Sequence, residues 1–116
     1  MTIKKQRLKE FEEATHILRM DAENYLGFEI QDGAGIPIGK VVGIVYTSPE
    51  AVRAMLDELI SYLKQIRASW LCIAYRMENQ DELIPVLTAL GFNGEWHLAS
   101  SVYLEKDLRE EANEDE

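Results

Sequence analysis

The sequence predicts a single α/β (α+β) domain, with a mixed central sheet and helices on both faces, in the order α-β-β-α-β-α-β with a final β-β pair. Three stretches carry that prediction. Residues 38–47 (IGKVVGIVYT) form a β-branched run. Val52, Met55, Leu56, Leu59, Ile60, Leu63 and Ile66 recur at helical spacing. Residues 70–75 (WLCIAY) are apolar on both alternating sets, the pattern of a central strand covered on both faces. A strand, a helix and a second strand make a β-α-β unit, so 38–47 and 70–76 are expected as parallel neighbours with a right-handed crossover. The 116 residues, 47% of them hydrophobic, fit one domain of ordinary globular composition.

Taken in chain order, Leu8, Phe11, Ala14 and Leu18 stand three or four apart among charges, which predicts an amphipathic helix over 5–19. Residues 24–31 (NYLGFEIQ) read as a strand, and the turn residues of 32–37 (DGAGIP) join it to 38–47 as a hairpin. Ser48-Pro49 is a helix start: the hydroxyl accepts from a free N–H of the first turn, and proline loses nothing at the first helical position. A last helix is expected over about 80–90, with Leu83, Val86, Leu87 and Leu90 inward. Asn79 and Glu82 have the spacing of a capping box, whereas Pro85 requires either a later start or a kink. Gly91 suits the left-handed position that ends a helix. Strand material at 92–97 and 101–106 forms a closing hairpin.

The charge of −9 is uneven. Residues 105–116 (EKDLREEANEDE) supply −5 of it, whereas the first nine residues carry Lys4, Lys5, Arg7 and Lys9. The division expected is a domain over 1–108 and an acidic, disordered tail over 109–116. An acidic body without a basic stripe argues against nucleic acid, whose phosphates are bound by Lys and Arg displacing counterions. No stretch approaches the ~20 apolar residues of a bilayer span. Cys72 is the only cysteine, so no intrachain disulfide is possible, and it sits in an apolar run with no local base. These features are those expected of a cytoplasmic protein with no membrane partner.

From Ile44 onward the chain resembles the second half of a GNAT N-acetyltransferase, and the resemblance covers residues 24–108. It is carried by the strand running into the long helix (IVYTSPEAVRAMLDELISYLKQ), the strand WLCIAY, Glu78-Asn79, Leu90-Gly91-Phe92 and a last strand ending Tyr103-Leu104-Glu105-Lys106-Asp107-Leu108. Only their order and spacing are telling. The resemblance implies that strands 38–47 and 70–76 splay apart to admit acetyl-CoA, with Tyr46, Thr47, Ser48 and Asn79 flanking the groove.

Two departures bear on activity. Active GNAT members place an Arg/Gln-x-x-Gly-x-Gly/Ala loop between the strand and the helix, whose backbone N–H groups receive the cofactor pyrophosphate. Here the stretch is Thr47-Ser48-Pro49-Glu50-Ala51-Val52-Arg53, with no glycine, a proline in place of a donor, and Glu50 where the pyrophosphate would lie. Many members also use a tyrosine four residues before the glycine of the last helix as general acid, and that position is Leu87. The resemblance therefore implies a degenerate member, lacking the acetyl-CoA pyrophosphate loop, with no cofactor expected and a regulatory or protein-interaction role. The alternative is a minimal acyl-CoA-dependent N-acyltransferase, in which Glu29 on the strand 24–31 serves as base toward an amine. A partner protein or a small molecule is expected, with a homo-oligomer as a further possibility.

Other patterns lead to no site. Gly33-Ala34-Gly35-Ile36-Pro37-Ile38-Gly39 has the wrong spacing for a dinucleotide fingerprint and runs into a strand. His16 and His97 are the only histidines and lack the neighbours of a metal site. Tyr46, Trp70, Tyr75 and Trp96 are the aromatics that would line a groove, although core packing is the ordinary use of such residues.

Overall fold

A computed structural model describes residues 1–33, 35–76, 82–98 and 101–108. Seven strands and two helices follow one another as β1 (Thr2–Lys5), β2 (His16–Arg19), β3 (Tyr25–Gly33), β4 (Ile36–Val45), α1 (Pro49–Gln65), β5 (Trp70–Arg76), α2 (Leu83–Ala89), β6 (Asn93–Leu98) and β7 (Ser101–Asp107). They build one mixed sheet in the order β1-β2-β3-β4-β5-β7-β6. Every neighbouring pair is antiparallel except β4 and β5, which run parallel and are joined by α1, as the sequence predicts. The mixed α+β class holds.

The helix expected over 5–19 is absent. β1 and β2 pair antiparallel, Ile3 opposite Leu18, and a loop of tandem turns connects them. Phe11 N–H donates to Leu8 C=O (3.1 Å) and Ala14 N–H to Phe11 C=O (3.0 Å). Both bonds span three residues, so the spacing of Leu8, Phe11 and Ala14 records successive turns and not a helical stripe. Tertiary pairing decides the rest: Ile17 and Leu18 are both buried, one on each face of a strand held against β3.

α1 owes its register to its ends. The Ser48 hydroxyl accepts from Ala51 N–H (3.2 Å), and Pro49 occupies the first turn. Ala51, Val52, Met55, Leu56, Leu59, Ile60 and Leu63 form the buried stripe. Leu63 lies directly over Gly39 of β4, where an added Cβ would stand 2.7 Å from its Cδ1. α2 begins at Leu83, later than Asn79 suggests, so Pro85 falls in the first turn, where no N–H partner is lost. Asn79 lies outside the described residues, as does the tail over 109–116. Gly91 takes φ +92° past the end of α2, and buried Lys106 donates to the Leu90 carbonyl there (2.6 Å). The closing hairpin of β6 and β7 forms as expected.

Both helices lie on one face, against a core that joins Leu18, Leu26, Phe28, Val41, Leu71 and Ile73 of the sheet to α1, Leu83 and Leu87. Helices on both faces were expected, and among the described residues the second face carries none. There the 6–15 loop covers one end, with Phe11 packed on Gly27 and Gly43 and tilted against Tyr25. The rest of that face mixes charged and apolar residues. β-register aligns Glu29, Lys40, Cys72 and Glu105 in one cross-strand row, and Gln31, Ile38, Trp70 and Asp107 in the next. Trp70 and Cys72 are thus half-buried, unlike Leu71 and Ile73, and the doubly covered strand expected of WLCIAY is covered by helices on one side only.

Candidate functional site

The parallel ladder between β4 and β5 is short. It runs from Ile38↔Trp70 to Val41↔Ile73 and stops, although β4 continues to Val45 and β5 to Arg76. Each strand stays paired on its outer side, β4 to β3 and β5 to β7. The two therefore diverge toward their C-terminal ends and leave a cleft whose β4 side has no strand partner among the described residues. In sheets with parallel strands, ligands bind beyond the carboxyl ends where neighbouring connections diverge.

Tyr46, Thr47 and Ser48 stand where β4 leaves this cleft and α1 begins. Each is already engaged. Tyr46 Oη donates to Glu82 Oε1 (2.7 Å), and burial followed by that carboxylate pushes the phenol up to about 12. Thr47 donates twice to Asn24 Oδ1, from its backbone N–H (2.8 Å) and from its hydroxyl (3.1 Å). Buried Asn24 also donates to the Asp21 carboxylate (3.0 and 3.2 Å), so the β2–β3 turn is tied to the start of α1. Hydrogen bonds from Glu23 N–H and Asn24 hold the Asp21 carboxyl below its ordinary range. Ser48 spends its hydroxyl on Ala51 N–H and its carbonyl on Val52 N–H (3.3 Å).

At the helix N-terminus the consequence is chemical. Thr47 N–H and Ala51 N–H are bound within the protein, and residue 49 is proline and has no N–H. Glu50 adds a carboxylate to the first turn, which the helix dipole favours and which opposes a second anion there. A phosphate cradle needs converging free backbone donors. Here Thr47, Ala51 and Val52 have their N–H groups taken and Pro49 has none, which thins the set of donors such a cradle needs.

Glu29 does not join these groups. It alternates with Phe28, which faces the helical side, and so lies on the opposite face, across from Lys40. Gln31 Nε2 donates to it (2.6 Å). Lys40 and Tyr46 are six residues apart on an extended chain, roughly 20 Å. Leu87 is wholly buried in the helical core, where an alkyl chain packs and transfers no proton. Trp70 faces the other side of the sheet, and the side chains of Tyr75 and Trp96 lie outside those described.

The remaining candidates are structural. His16 stacks on Phe28 (5.2 Å between centroids), and its Nδ1 pairs with the Thr15 hydroxyl (2.8 Å). Burial, then the charge of Lys5, lowers its pKa. Burial and the nearby Glu105 carboxylate push the Cys72 thiol up, away from the thiolate that a nucleophile needs. Among the described residues no group of three or more His, Cys, Asp or Glu gathers to hold a metal ion, and no helix is long and apolar enough to cross a membrane. Gly35 takes φ +84° in the β3–β4 connection, consistent with a hairpin turn. Sequence reasoning missed Asn24 and the Glu82 bond, whose partners stand 23 and 36 residues away.

No protein-family model matches the chain, and a search of curated proteins finds no relative. Solved structures do match. An N-acetyltransferase from Staphylococcus aureus Mu50 aligns with TM-score 0.64 and 14% identity over 84% of this chain and 72% of its own. A probable acetyltransferase from Staphylococcus epidermidis ATCC 12228 aligns with TM-score 0.64 and 12% identity over 86% and 71%. The ribosomal-protein-S18-alanine N-acetyltransferase from Escherichia coli gives TM-score 0.58 and 18% identity, covering 74% of this chain and 61% of that enzyme. At such identities the likeness is one of fold.

Proposed function

We propose that this chain, a domain of GNAT N-acetyltransferase fold, is a degenerate member without acetyltransferase activity that acts as a regulatory or protein-interaction module. One observation carries the reading: at the turn from β4 into α1 the Thr47, Ala51 and Val52 N–H groups are bound within the protein and residue 49 has none to give. In place of a glycine loop that would meet a pyrophosphate, Thr47 is bound to Asn24, Ser48 caps the helix, Pro49 has no N–H and Glu50 brings negative charge. Leu87 supports it, because the proton donor that the resemblance would place there is replaced by a buried alkyl chain. A positioned acid is typically worth about 10²–10⁴ in rate, and the orientation lost with the cofactor grip can be worth more.

The second reading, a minimal acyl-CoA-dependent N-acyltransferase, draws on the cleft between β4 and β5 and on the enzymes that share the fold. It requires a base, and Glu29 lies on the wrong face to meet an amine at the cleft. An acetyl-transfer assay with amine and peptide acceptors separates the two. We expect no turnover by the wild-type chain, and none from Leu87→Tyr, since the phosphate grip stays absent. Steady wild-type turnover abolished by Glu29→Gln would establish the second reading. Turnover that survived Glu29→Gln would mean an enzyme with a different base.

A further inference from the structure

The open end of the β4–β5 cleft has two lips, and each strand is held from its outer side. β5 is held through Arg76 by β7, and β4 through Val45 by β3. Asn24 then fastens Thr47 from the β3 side. The remaining link crosses the gap: Tyr46 follows the end of β4, Glu82 precedes the helix that follows β5, and the phenol donates to the carboxylate at 2.7 Å. Glu82 occupies the N-cap position of α2 yet makes no side-chain cap bond, although a carboxylate there would ordinarily serve the helix's own N–H groups. Its acceptor capacity is directed to the opposite lip instead. A phenol is a neutral donor throughout the ordinary pH range, and burial with the Glu82 carboxylate keeps Tyr46 so by raising its pKa to about 12.

We propose that the Tyr46–Glu82 hydrogen bond is a strap across the helical side of the cleft, holding the diverging ends of β4 and β5 together in the resting chain. Beyond Val41 no strand pairs with the cleft side of β4 among the described residues. Anything entering there from the helical face first breaks the strap. The strap would form in a catalytic and in a non-catalytic chain alike, because it depends only on Tyr46 and Glu82.

Amide hydrogen exchange on the full chain tests it with Tyr46→Phe, which removes one hydroxyl, and Glu82→Ala, at an exposed position. Each variant should speed exchange in peptides covering 42–46 and 82–86 about tenfold, the scale of a lost bond to a carboxylate. Peptides from the middle of α1 should not change, and the double variant should match the singles, since all three lack the same bond. Unchanged exchange at 42–46 in both single variants would overturn the strap. So would equal acceleration throughout α1, which would report general loosening.

Discussion

The two faces of the sheet are built on different principles. On the helical face, Leu26, Phe28, Val41, Leu71 and Ile73 meet the stripe of α1 and the inner side of α2, with Leu63 fitted over Gly39. On the other face a loop replaces helices: Phe11 caps Gly27 and Gly43, Arg19 lies over the Tyr25 ring at 4.5 Å, and Tyr25 donates to Glu10 (2.7 Å). Beyond that cap one row of the face carries Glu29, Lys40 and Glu105 around Cys72, and the next carries Ile38 and Trp70 between Gln31 and Asp107. The difference assigns roles. Apolar burial, and with it most stability, is concentrated on one side. The groups around the cleft mouth are on that same side, while the carboxylate that would act as a base is on the other.

The sharpest way to break this contrast is to truncate each face in turn. Leu59→Ala removes a wholly buried side chain from α1 and should cost about 2–5 kcal/mol by chemical denaturation. A loss under 1 kcal/mol would mean that the helical core is not the main source of stability. Gly43→Ala addresses the opposite face: the new methyl collides with the Phe11 ring, which has to leave its seat. We expect a smaller loss, about 1–3 kcal/mol, because a loop can shift where a core cannot. If Gly43→Ala proved costlier than Leu59→Ala, the ranking of the faces would be reversed.

A smaller effect sharpens the boundary between the faces, where His16 lies at the edge of the helical core against Phe28. Its pKa is lowered in the folded chain from 6.5, so the unfolded chain takes up the proton first. Stability that is present above pH 6.5 is therefore lost as pH falls from there toward the depressed value. Denaturation curves near pH 7.5 and pH 5.5 should differ more for wild type than for His16→Gln, bracketing the ordinary histidine range of about 6.5. An equal difference in the two proteins would show that other groups carry the slope.

Much of the fold is legible in the sequence where local chemistry and tertiary need agree. Ser48-Pro49 states the start of α1, Gly91 states the end of α2, and the stripe from Val52 to Leu63 finds the sheet it implies. The N-terminal segment misleads because tandem three-residue turns and a helix leave similar spacings, and only pairing with β3 tells them apart. Trp70 and Cys72 mislead because apolar composition does not reveal which side of a strand receives a helix. Of the site, Tyr46, Thr47 and Ser48 are legible as the residues between the end of β4 and the start of α1. Their partners Glu82 and Asn24 are far away in the chain, so that no spacing rule connects them.

On the non-catalytic reading, the turn from β4 into α1 does not grip a pyrophosphate. Calorimetric titration of the full chain with acetyl-CoA tests it most directly. We expect no binding heat, and equally none for a variant in which residues 47–50 are replaced. A dissociation constant in the low micromolar range, corresponding to roughly −7 to −8 kcal/mol and lost on replacing residues 47–50, would contradict it.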